Sequence, residues 1–145
     1  MGGTVMEYHT MRYINTIARC ANLHQDEALQ SVGLSSYQSA YIPIVCRNPG
    51  ITQDQIAREL HVNRSSVTRQ MTALEDAGFI TRQRCTGDRR AIQVYPTDKA
   101  LEVLPLVRKA RQTWRALLLE GMTDTEREAL DKLLARLADR AEDIV

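Results

Sequence analysis

Apolar residues along this chain recur mostly at three- and four-residue steps, and between residues 79 and 95 the step shortens to two. Tyr8, Met11, Ile14, Ile17 and Ala18 mark one face of a helix over about residues 5–21. Ser35 and Gln38 stand in capping-box spacing ahead of Tyr37, Ala40, Tyr41 and Ile44, which predicts a second helix reaching Arg47 before Asn48-Pro49-Gly50 stops it. Thr52 and Gln55 repeat the spacing before Ile56, Ala57 and Leu60. A short turn at His61-Val62 leads to Asn63, a good N-cap, and then to Val67, Met71 and Leu74. Gly78 reads as the end of that helix, where a left-handed backbone is needed. From Phe79 to Cys85 and from Ala91 to Tyr95 the alternation is that of strands, joined by a turn at Thr86-Gly87-Asp88-Arg89. Pro96-Thr97-Asp98 opens a long helix carrying Leu101, Leu104, Val107 and Leu117 to about Leu119, and Gly121 ends it. Thr123 and Glu126 cap a last helix with Leu130, Leu133, Leu134 and Leu137.

The expected fold is therefore mainly α with a small β-hairpin wing: a winged helix-turn-helix flanked by N- and C-terminal helices. The helix-turn-helix and wing occupy residues 36–96 of a single 145-residue domain. The apolar faces of residues 1–30 and 97–145 exceed what so small a lobe can cover, which points to a dimerisation layer. Shared apolar faces leave Arg64, Ser65, Ser66, Thr68 and Arg69 on the open side at the start of the second helix. In a helix-turn-helix that is where base edges and phosphates of the major groove are met. Arg82 and Arg84 on the wing suit the DNA backbone. At the wing tip, Asp88 can stiffen the loop so that Arg90, with Arg89 beside it, reaches the negative potential of the minor groove.

The segments Ile51–Leu60 and Val67–Ile80, followed by Gly87-Asp88-Arg89-Arg90-Ala91 with its Asp-x-Arg feature, resemble the MarR family of bacterial transcriptional regulators. The similarity of pattern extends over nearly the whole chain. It implies a homodimer on a pseudo-palindromic operator in double-stranded DNA, usually repressing, and released by a small molecule or by oxidation.

Composition modifies this picture in one respect. Net charge is only +1, but it is segregated. Residues 58–90 hold seven arginines against four acids, and residues 121–145 hold seven acids against four bases, so the basic middle would turn toward phosphate. No Gly-rich phosphate loop, nucleophile elbow or metal-binding pair occurs, which argues against an enzyme and against a cofactor or metal. The expectation is a cytoplasmic protein: the sequence shows neither a signal peptide nor an apolar run of membrane-spanning length, and its three cysteines suggest no disulfide framework. Of these, Cys20 and Cys85 are candidate redox thiols, Cys85 because Arg82, Arg84 and Arg89 surround it in sequence. Ile17, Tyr37, Tyr41 and Trp114 are candidates to line an effector cleft between dimerisation helices and DNA-binding lobe. The alternative is a winged-helix module that binds a protein partner without specific DNA recognition.

Overall fold

The computed structural model describes residues 3–85, 87 and 91–145, with side chains from His9 onward. In chain order it runs α1 (Gly3–Leu29), a 3₁₀ turn (Gln30–Val32), α2 (Ser36–Ser39), α3 (Tyr41–Arg47), β1 (Ile51–Thr52), α4 (Gln53–Leu60), α5 (Arg64–Asp76), β2 (Ile80–Arg84), β3 (Ile92–Pro96), α6 (Asp98–Leu118) and α7 (Asp124–Ile144). Two compact units divide it, Met1–Arg111 and Gln112–Val145, with α6 continuing from the first into the second.

Helix starts follow the local chemistry. Ser35, Thr52 and Thr123 each accept a hydrogen bond from the backbone three residues on, and a side-chain oxygen of Gln38, Gln55 and Glu126 accepts one in turn from the cap residue's N–H. Asn63 Oδ1 accepts from the Ser66 N–H at 2.8 Å. Each such cap satisfies donors that the first helical turn leaves without partners and contributes about 1 kcal/mol. The turn between α4 and α5 depends on His61, held left-handed at φ 52°, whose neighbour Val62 donates to the Ala57 carbonyl at 3.0 Å. At the other end of α5, Gly78 takes φ 84°, and the Phe79 N–H closes back on the Leu74 carbonyl at 2.9 Å. Lys99 Nζ caps the same helix end, donating to the Ala77 carbonyl at 2.6 Å while lying 4.4 Å from the centre of the Phe79 ring.

Three departures from the sequence reading have physical causes. The helix expected through Arg47 breaks at Ala40, because Pro43 has no N–H for the Ser39 carbonyl and its ring would clash there. Restarting at Tyr41 puts the proline in a first turn, where it is tolerated. The first helix continues to Leu29 rather than ending near Ala21: its apolar rhythm fades through Asn22, His24 and Gln25, but no breaker occurs before Gly33. The wing hairpin also gains a third strand, in the order β1-β3-β2, since two residues are too few to show alternation.

Val94 stands at the middle of this sheet, opposite Ile51 on one side and Arg82 on the other. Its buried face meets Ile56 of α4, Val67, Met71 and Leu74 of α5, Tyr41, Ile42 and Val45 of α3, and Val103 and Val107 of α6 in one core. Arg82, two residues from buried Ile80, lies on that inner face, and its side chain is only 20% exposed. Its Nη2 donates to Glu75 Oε1 (3.0 Å) and Thr72 Oγ1 (3.2 Å) of α5, and its Nη1 to Gln53 Oε1 (3.4 Å) of α4. The Arg82 N–H adds a bond to Glu75 Oε2 at 3.1 Å. One guanidinium thus ties the wing, α5 and α4 together.

Two predictions follow from this geometry. Arg82, through its hydrogen bonds, holds the Glu75 carboxyl below its ordinary value of 4.5. A depressed carboxylate stabilises the fold above the unfolded-state value, and the contribution disappears as pH falls through the folded-state one. Glu75→Gln should therefore lower stability in denaturant titrations at neutral pH, with the difference narrowing below pH 4.5; a gap that widens on acidification would contradict the clamp. At the α4–α5 turn, His61→Val should cost about 1–2 kcal/mol because a β-branched residue resists positive φ, whereas His61→Asn should be near neutral by thermal unfolding.

Candidate nucleic-acid interface

Asn63, Arg64, Ser65, Thr68 and Arg69 are all exposed along the N-terminal half of α5, with Ser66 half-buried between them. Their order comes from the helical repeat: Val67, Met71 and Leu74 hold the opposite face in the core. No acid occupies the first turn of α5, and its cap is a neutral asparagine, so the positive end of the helix is unopposed by its own side chains. Such an end attracts phosphate.

Local hydrogen bonds preset several of these groups. Ser65 Oγ donates to Asn63 Oδ1 at 2.8 Å, and Arg69 Nη2 donates to Ser66 Oγ at 3.4 Å. Arg64 Nε pairs with Asp54 Oδ1 of α4 at 3.1 Å, both side chains being more than half exposed. In water an exposed pair of this kind is worth about 0–1 kcal/mol, so a phosphate can displace Asp54 at little cost. A groove of about 490 Å³, bordered by Asp54, Arg58, Arg64 and Ala91, opens beside this pair. Deeper in, Gln53 is buried at the start of α4, and its Nε2 donates to Thr68 Oγ1 at 3.2 Å.

On the wing, Arg84 is exposed at the end of β2. Asp88, Arg89 and Arg90 lie outside the described residues. Arg82, expected at the DNA backbone, has its guanidinium bonded within the chain to Gln53, Thr72 and Glu75, which ties the wing to α4 and α5. Period-2 alternation already put it on the face of Ile80, which is the signal for that inward direction. Gln53, Thr72 and Glu75 escaped sequence reasoning because nothing local marks them; their partner is distant in the chain.

The remaining candidates lie on α1, α2, α3 and α6 and beyond β2. Cys20 is exposed on α1, and Cys85 is half-buried beyond β2, its N–H bonded to the Ala91 carbonyl at 3.0 Å. Cys46, half-buried in α3, has its thiol pushed up by burial against the opposing pull of Arg108. Tyr37 and Tyr41 meet edge to face with ring centres 6.2 Å apart. Tyr41 belongs to the core at 1% exposure, and burial, with Tyr37 beside it, pushes its phenol up to about 12. Ile17 is exposed on α1, and Trp114 is half-buried on α6. Among the described residues no group of three or more His, Cys, Asp or Glu side chains is placed to hold a metal. No described helix is long and apolar enough to cross a membrane.

Known proteins carry the same arrangement. The MarR family model matches residues 34–92, the stretch from α2 through the start of β3. The crystal structure of MarR superposes with a TM-score of 0.83 at 30% identity, covering 92% of this chain and 91% of that one. A structure of a regulator assigned to the same family, from Listeria monocytogenes and complexed with a 26mer DNA, gives a TM-score of 0.84 at 25% identity over 92% of this chain and 89% of that one. In sequence, the uncharacterized HTH-type transcriptional regulator YybA of Bacillus subtilis (strain 168) is 29% identical over 132 residues, 91% of this chain and 88% of its own length. Sharing their helix, turn, helix and wing in the same order and over most of their length, the chain is a winged-helix transcription regulator of the MarR family.

Proposed function

We propose that two copies of this regulator bind a pseudo-palindromic operator in double-stranded DNA, repressing transcription until a small ligand or oxidation releases them. The open N-terminal face of α5 carries this reading: two arginines, hydroxyls and an unopposed helix end stand where a major groove would be met. In the proposed complex Arg64, Ser65, Ser66, Thr68 and Arg69 contact bases and phosphates, and Arg84 contacts the backbone. Arg90, oriented by Asp88 and flanked by Arg89, enters the minor groove. The Listeria relative bound to a 26mer DNA supports the partner. On this reading the protein is cytoplasmic.

Pairing is supported by α7, which has no buried residue although Leu133, Leu134 and Leu137 line one of its faces. On α1, Met11, Ile17 and Leu23 are exposed as well. A second copy covering these stripes would bring two readers to half-sites about one helical turn apart, roughly 34–36 Å. For the effector, Tyr37 and Tyr41 offer an aromatic pair, with Ile17 and Trp114 as further candidates; Cys20 and Cys85 are the thiols to test for oxidation. The family supports regulation rather than catalysis.

Selection from a random duplex library, followed by fluorescence anisotropy at two salt concentrations, tests the reading. A selected duplex should bind two copies per site with strong salt dependence. Arg69→Ala should weaken it by about 1–3 kcal/mol if the arginine reads a base, or reduce the salt slope by about one if it contacts a phosphate. Failure to enrich any duplex would leave the protein-interaction module as the better reading. The double change Leu133→Glu, Leu137→Glu should shift sedimentation from two copies toward one and lower operator affinity with it; an unchanged dimer would remove α7 from the interface.

A further inference from the structure

Thr68 is exposed on the open face of α5, yet its hydroxyl is directed entirely within the chain. The direction of each bond is forced. A guanidinium has donors only, so the Gln53 atom that faces Arg82 must be the amide oxygen, here at 3.4 Å. The other end of that amide is then NH₂, and it donates to Thr68 Oγ1 at 3.2 Å. Thr68 Oγ1 therefore accepts from Gln53, and its single hydrogen goes to the Arg64 carbonyl at 3.0 Å. Both bonds pull the oxygen toward α4 and the preceding turn of α5. A threonine hydroxyl has one hydrogen, and here none is left for a base acceptor. One acceptor lone pair of Oγ1 is not used by these two bonds, and beside it the side chain offers its Cγ2 methyl.

We propose that Thr68 is a specificity-determining residue that recognises thymine through methyl–methyl contact, with its hydroxyl serving only to hold that methyl in place. The inference rests on the DNA-binding reading above and gives it a base. In the major groove, the C5 methyl of thymine is the apolar feature that separates T·A from the other pairs, and a threonine methyl is a suitable partner. Arg82 takes part at one remove: by orienting the Gln53 amide, the wing strand sets which atom of α5 faces the groove.

The test uses the full-length chain and the duplex that emerges from selection. Each thymine is replaced in turn by deoxyuridine, which removes only the C5 methyl, and binding is measured for the unaltered protein, Thr68→Ser and Thr68→Val. Serine keeps both hydrogen bonds and loses the methyl; valine keeps a methyl and loses the hydroxyl. Loss of one buried methyl contact corresponds to about a three- to fivefold loss of affinity. The unaltered protein should show that loss at one thymine per half-site. Thr68→Ser should bind the thymine duplex about three- to fivefold more weakly and be indifferent to uracil at the same position. Thr68→Val, even where its melting temperature falls, should keep the uracil sensitivity. Methyl sensitivity that survives in Thr68→Ser, or that vanishes in Thr68→Val, overturns the proposal and leaves DNA binding standing. If no duplex is selected at all, the DNA-binding reading fails, and this inference fails with it.

Discussion

The Arg82 guanidinium is the cation on which the geometry of the reading head depends. It enters from the middle of β2, opposite Val94, and reaches α5 through Thr72 and Glu75 and α4 through Gln53. Apolar packing alone holds these elements together but does not direct them, because methyl contacts tolerate small slides. Hydrogen bonds from a planar fork do not. The side chain sits at the edge of the core, one-fifth exposed, where neighbouring low dielectric strengthens each bond and its stem still packs against the sheet. A wing placed by this fork is tied to α5 by directed bonds.

Much of the architecture is written locally. Capping boxes at Ser35, Thr52 and Thr123 form with their expected partners, because cap and partner are three residues apart and need no tertiary help. The left-handed Gly78 and the long α6 are legible for the same reason. What resisted reading is non-local. The Gln53–Arg82 bond joins residues 29 apart, and its existence depends on sheet register and on the crossing of α4 and α5. Strand β1 is two residues long and is defined only by its partner β3. Arg82 is the instructive intermediate: its alternation with Ile80 was visible, but a basic residue on a wing suggests phosphate, and composition outweighed parity. For the exposed face of α5 the order was readable from helical repeat, whereas the polarity of the Thr68 hydroxyl required the whole chain of donors and acceptors.

Electrostatics divides between affinity and selection. With a net charge of +1 the chain has little long-range attraction for DNA as a whole, so attraction comes from the local cluster and the α5 N-terminus. Asp54 pairs with Arg64 in that cluster, but so exposed a pair is worth only about 0–1 kcal/mol, and on the proposed reading Arg64 gives it up for a phosphate at little cost. Selection between sequences then rests on the contacts to base edges.

A cross-braced reader also limits how regulation can operate. On the proposed reading, a ligand that binds elsewhere can weaken operator affinity only through a state it favours over the DNA-bound one. Distorting the reader itself would mean breaking the Glu75–Arg82–Gln53 bonds in a half-buried setting, where stranded polar groups cost about 1–3 kcal/mol each. Changing the distance between two intact readers breaks none of them. Two half-sites about 34 Å apart demand that distance within narrow bounds, so a small change in pairing geometry is enough to release both. The rigidity that gives Thr68 a fixed orientation therefore also moves the switch away from the reading head and into the way two copies meet.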